Sequence, residues 1–168
     1  VLGQPRFESG QADQGGTPNA GSLDRPIGLA LTPQGGLLVA DYSNNRVLFY
    51  ASTPGVSGTK ADAVLGQPDE GSSEPATTRT GLNGPVGFAI GVGKMAVVDH
   101  GSNRVLIYDR TPARGEPVPQ PVAVVGQPDF ESSLAACGAG GLNRPHAATI
   151  TPDGKLLVAD MQNNRVLI

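Results

Sequence analysis

An aspartate, an asparagine and an arginine occur together three times in this 168-residue chain: Asp41, Asn45 and Arg46; Asp99, Asn103 and Arg104; Asp160, Asn164 and Arg165. A carboxylate, an amide and a guanidinium around one tight turn have the parts of a catalytic centre. Their threefold recurrence points elsewhere, because a need met once in every repeat is a structural need. Asn tolerates the left-handed backbone of a tight turn, and an Asp–Arg pair can hold turn backbone groups between strands. These nine residues are assigned to the scaffold, and none is assigned a catalytic role. The residues that break the symmetry are the better candidates for binding. His146 takes the position of Ile27 and Val86, and His100 takes that of Tyr42 and Met161. Arg25 and Arg144 precede strand-opening prolines and rim the same region, where they would suit a small anionic ligand. Cys137, the one cysteine, lies in the stretch leading to His146. Two histidines and a thiol without ligand spacing do not make a zinc site, so no metal or cofactor is assigned. No nucleophile–base pairing, phosphate-cradling glycine loop or paired-carboxylate motif is recognisable.

The elements that must position these residues form a repeat. "LDRPIGLALTPQGGLLVADYSNNRVLFY" at 23–50 returns as "LNGPVGFAIGVGKMAVVDHGSNRVLIY" at 82–108 and "LNRPHAATITPDGKLLVADMQNNRVLI" at 142–168. Leu23, Leu82 and Leu142 lead the units at spacings of 59 and 60 residues. A second word, "VLGQP", opens the chain at 1–5 and recurs at 64–68 and, as "VVGQP", at 124–128, and Phe7 and Phe130, two residues beyond it, are expected to pack between blades. The repeats therefore span 23–68, 82–128 and 142–168, with 1–5 expected to form an outer, closing strand. Each full unit reads as four short strands, in the first Ile27–Thr32, Leu37–Asp41, Arg46–Tyr50 and Asp62–Gly66. Four antiparallel strands at this period predict an all-β propeller blade. Composition agrees: with 24 Gly and 15 Pro there are many turns, and no helix-length amphipathic segment is present. The chain is sized for a single domain. A net charge of −3 argues against nucleic acid and anionic membranes as partners. No apolar run approaches the ~20 residues of a membrane span, and no signal peptide is recognisable. A first residue of Val rather than Met is expected of a processed form or an excised piece.

The "P-x-G-[LF]-A" start, the "L-[LV]-V-[AV]-D" strand and the "N-R-V-L-[IF]" strand resemble NHL repeats. The "V-L-G-Q-P-x-F" word is similar to bacterial NHL-repeat proteins. The resemblance covers nearly the whole chain. It implies a β-propeller, usually of six blades, with the first strand of each blade lining a central channel. The second unit departs from the pattern, with "GVGK" in place of "TPQGG".

The stretches 6–22, 69–81 and 129–141 join an outer strand to the next inner strand and are expected to share a face with the "YSNN", "HGSN" and "MQNN" turns. They hold Glu8, Asp13, Asp69, Glu70, Glu74, Asp129 and Glu131 against Arg6 and Arg79, a net −5. Some NHL proteins bind RNA through a basic face, and this chain has no such footprint. Long loops on a rigid scaffold predict a non-enzymatic binding scaffold for a protein, saccharide-like or other small polar ligand. The alternative, implied by NHL-like propellers that are metal-dependent, is a metal-assisted lyase or lactone hydrolase using the channel. Low lysine content (three residues) and the family's frequent export place the expectation outside the cytoplasm, extracellular or periplasmic. The strands count as one outer strand, two complete blades and three strands of a third. The expectation is a homodimer completing a six-bladed ring, Val1–Gly3 of one chain pairing with Arg165–Ile168 of the other; the competing account is that the chain is half of a longer single-chain propeller.

Overall fold

The computed structural model describes residues 1–168, and every regular element longer than four residues is a β-strand. No helix is long and apolar enough to cross a membrane. The first antiparallel sheet runs β1 (Pro26–Leu31), β2 (Leu37–Asp41), β3 (Arg46–Tyr50) and β4 (Ala63–Leu65) in chain order. The second runs β5 (Pro85–Gly91), β6 (Lys94–Asp99), β7 (Arg104–Tyr108) and β8 (Pro121–Val125). The third has β9 (Pro145–Ile150), β10 (Leu156–Asp160) and β11 (Arg165–Leu167), with β11 at its edge.

The middle strands read as unbroken apolar runs because both of their faces are buried. Side chains alternate along a strand. In β3, Val47 and Phe49 join one cluster, while Leu48 and Tyr50 join another on the opposite face. Leu38, Val47 and Phe49 of the first sheet thus pack on Met95, Val97, Leu106 and Tyr108 of the second. Ala96, Val98 and Val105 of the second pack on Leu142 and Val158 of the third unit. The sheets lie face to face and converge at their first strands. A Cβ on Gly28 would stand 2.4 Å from the Val86 carbonyl oxygen, so β1 and β5 approach closely only because residue 28 lacks one. This is the stacking of propeller blades.

The turns follow the residue chemistry. Asn45, Asn103 and Asn164 all have φ of 52°, the left-handed conformation that ends each hairpin turn. The shortened turn of the second unit puts Val92 (φ 51°) and Gly93 (φ 72°) between Gly91 and Lys94, a two-residue hairpin with both central residues left-handed. Three expectations need correction. Residues 1–5 form no strand: the single chain offers Val1–Gly3 no partner strand, and Val1 instead bonds Ser57 and Gly58. Phe130 packs against the core, whereas Phe7, expected to do the same, is exposed for want of a neighbouring sheet. The fourth strand is also shorter, Ala63–Leu65.

Candidate functional site

Each Asp–Asn–Arg trio works as a clamp. Arg46 donates from Nε to Asp41 Oδ2 at 2.8 Å, and its Nη atoms reach the carbonyls of Glu70 (2.6 Å), Asn19 (3.0 Å) and Ser22 (3.1 Å). Arg104 repeats this with Asp99 and the carbonyls of Phe130, Thr78 and Gly81. Arg165 does so with Asp160 and the carbonyls of Cys137, Gly138 and Gly141. The second oxygen of each aspartate accepts the N–H of Asp24, Asn83 or Asn143, fixing the entry to the first strand of the same sheet. The guanidinium therefore holds the long loops by their main chain and packs them over the turns. Arg46, Arg104 and their aspartates have no exposed side-chain surface. Burial pushes Asp41 up from its ordinary value and Asp99 up to about 6, against the pull of their hydrogen-bond donors and arginines. At Asp160 burial pushes the same way but loses to the Asn143 N–H, the Asn163 amide and Arg165, and the pKa is lowered.

On the same face, the symmetry-breaking residues come together. His100 is buried, not solvated as a turn residue would ordinarily be, because the start of the third sheet covers it: its Nδ1 lies 3.1 Å from the Pro145 carbonyl oxygen. A carbonyl only accepts, so Nδ1 carries the proton and Nε2 is the lone-pair nitrogen. Arg144 Nη1 donates to that Nε2 at 3.4 Å. His146 stands edge-on to His100, with ring centroids 5.9 Å apart, and is exposed. Tyr42 lies 6.4 Å from His100 on the other side, and the Arg25 guanidinium sits over the tyrosine ring at 5.0 Å. Burial, helped by the charges of Arg144 and His146 and opposed by the Pro145 carbonyl, lowers the pKa of His100.

All four expected binding residues thus belong to one row, Arg25–Tyr42–His100–His146, with Arg144 beside His100. Tyr42 is the member that sequence reading passed over. Arg25 and Arg144 are exposed and take no part in any of the five ion pairs of the chain. Both have left-handed backbones, φ 54° and 48°, although a residue before proline is ordinarily extended. Gly84, at the same place in the second unit with φ 61°, was the signal for that conformation. Cys137 stands apart: it is exposed and enters only through its carbonyl.

Residues 23–49 match the NHL repeat family. That stretch runs from Leu23 to Phe49 in β3 and contains Arg25, Tyr42 and the first clamp. No protein of curated function matches the chain. Among solved structures, it is similar to virginiamycin B lyase from Staphylococcus aureus, at 13% identity and a TM-score of 0.46 over 84% of this chain and 36% of that one. It is also similar to a streptogramin B lyase, at 13% identity and a TM-score of 0.37 over 89% of this chain and 51% of that one. The chain spans about half or less of the length of either structure.

Proposed function

We propose that this chain is a non-enzymatic binding scaffold whose turn face takes a small polar ligand through a carboxylate or phosphate group. The observation that supports this reading is the pair of guanidiniums free of carboxylate partners, Arg25 and Arg144, set beside Tyr42 and two histidines within an acidic surround. Guanidinium is matched to carboxylate and phosphate by its planar fork of donors. The neutral, buried His100 ring fixes one side of the row by holding Arg144, and exposed His146 offers a second donor or acceptor. The acidic loops around this row would disfavour larger polyanions, which agrees with the absence of a nucleic-acid footprint.

The metal-assisted alternative fits the donors poorly. Both ring nitrogens of His100 are engaged, by the Pro145 carbonyl and by Arg144, and no group of three or more His, Cys, Asp or Glu side chains converges to hold an ion. The test is a titration with inorganic phosphate and, separately, with glucuronate, followed by the ring resonances of the two histidines. Saturable movement that disappears in the Arg25→Ala, Arg144→Ala double variant, with unchanged melting, is expected. No saturable movement with either probe, or equal movement in the double variant, overturns the reading.

A further inference from the structure

We infer that His100 regulates the anion site through a proton, and that the site holds its anion more tightly once His100 is protonated. This rests on the reading of Arg144 as an anion-binding guanidinium and adds the group that controls how Arg144 acts.

The join of the second and third sheets places His100 for this role. The residue is buried in the turn between β6 and β7, and the start of β9 closes over it. Its Nδ1 proton is held by the Pro145 carbonyl oxygen at 3.1 Å, which leaves Nε2 as the nitrogen that can take up a further proton. Nε2 is also the atom that accepts from Arg144 Nη1, at 3.4 Å. One ring nitrogen therefore has two uses that exclude each other. With a free lone pair it accepts from the guanidinium. With a proton it can only donate, and the guanidinium is turned away. A flipped ring would set a carbon against the Pro145 carbonyl and lose a buried hydrogen bond.

The charged and titratable groups around the ring are few. From β9 it faces Arg144 and His146, the latter edge-on with ring centroids 5.9 Å apart. From the turn of the first sheet it faces Tyr42, at 6.4 Å. Its chain neighbours Asp99 and Arg104 are turned into their clamp and bonded to each other at 2.8 Å. None of the five ion pairs involves a histidine, so no carboxylate offsets a charge on the ring. Burial, with the charges of Arg144 and His146, outweighs the Pro145 carbonyl and keeps His100 neutral at ordinary pH.

An anion held by Arg144 and His146 supplies the missing negative charge. It makes protonation of His100 easier, and by linkage the protonated form binds the anion more tightly. Protonation also frees Arg144 from the ring, so that both terminal nitrogens can meet two oxygens of one anion. The release removes a hydrogen bond that orients Arg144. A full charge added beside a partly buried anion outweighs one bond to an uncharged ring. Affinity therefore rises as pH falls through the His100 midpoint. In the first unit Tyr42 takes the place of His100 and meets Gly84 rather than an arginine, so the device occurs where the second and third units join.

Sulfate is the probe, because it stays dianionic between about pH 5 and pH 8, the range in which histidine changes charge. Calorimetry measures its affinity at both ends of that range in the parent and in His100→Gln, with phosphate and glucuronate run beside it. The glutamine amide can donate to Pro145 and accept from Arg144 but cannot gain a proton. The tightening on acidification is expected to be at least about fivefold greater in the parent than in the variant, whatever His146 and Asp99 add to both. In the parent, the His100 ring resonances should titrate at a higher midpoint with saturating sulfate than without it. Equal pH dependence in parent and variant, or a His100 midpoint that sulfate leaves in place, overturns the inference, while saturable binding itself leaves the anion reading standing. No saturable sulfate binding at either pH also overturns the inference, and the phosphate and glucuronate titrations then decide the reading. If His100→Gln fails to fold, the midpoint in the parent decides alone.

Discussion

Replacing Arg46 by Ala tests the reading of the trios as clamps. The side chain is fully buried, as is that of Asp41, its partner at 2.8 Å. Its removal leaves Asp41 with the Asp24 N–H and the Asn44 amide and no counter-charge. Stranding one partner of a buried ion pair costs roughly 3–5 kcal/mol. The loop carbonyls of Glu70 and Asn19 lie nearer water and add less, while that of Ser22 is buried. Arg104→Ala should cost a similar amount, because its surroundings repeat those of Arg46. Arg165 is 26% exposed, so water reaches the Asp160 pair, and Arg165→Ala should cost nearer about 1–3 kcal/mol. Urea unfolding followed by circular dichroism reads all three variants against the parent, in dilute protein so that association does not intrude. The pH dependence has a definite sign. Without Arg46, the folded pKa of Asp41 rises further above its unfolded value of about 3.8. The folded state then holds a proton that the unfolded state releases, so the deficit is small near pH 4 and grows as pH rises through the folded pKa. Equal losses in all three variants, or a loss at Arg46 below about 1 kcal/mol, would refute the clamp.

Nuclear magnetic resonance should find His100 titrating below the ordinary value of about 6.5, with the proton on Nδ1, and Arg144→Ala should move its midpoint up. Because the folded pKa is the depressed one, His100 contributes stability that is complete above about pH 6.5 and is lost as pH falls below it. Gly28→Ala would drive a Cβ into the Val86 carbonyl, and calorimetry should show a loss of about 1–3 kcal/mol; Gly55→Ala, with open space and no left-handed backbone at that point, should cost less.

The strands and their order were legible because the apolar runs and turn words repeat almost verbatim. The clamps were legible as scaffold but not in their reach: Arg46 grips Asn19, Ser22 and Glu70 by their carbonyls, which every residue type possesses, so no side-chain pattern marks them. The burial of His100 depends on Pro145, a neighbour 45 residues away that arrives only when the third sheet packs on the second. Arg25 and Arg144 read as ordinary pre-proline residues, and only Gly84 in the same slot betrayed the left-handed backbone. Val1–Gly3 carries the word of a strand without forming one, because pairing needs an edge that the chain's own sheets do not bring to it.

The grip of each arginine on main-chain carbonyls has a consequence for how such a face can change over generations. Arg46, Arg104 and Arg165 hold stretches as unlike as "DEGSSEPATTRTG" and "DFESSLAACGAGG", which differ in charge, bulk and polarity. An anchor indifferent to side-chain identity leaves those side chains free to vary without unfolding what lies beneath. Recognition and foldability are thereby uncoupled, and a new specificity can be drawn from random substitution, or from grafted segments in the laboratory, with little penalty to the sheets.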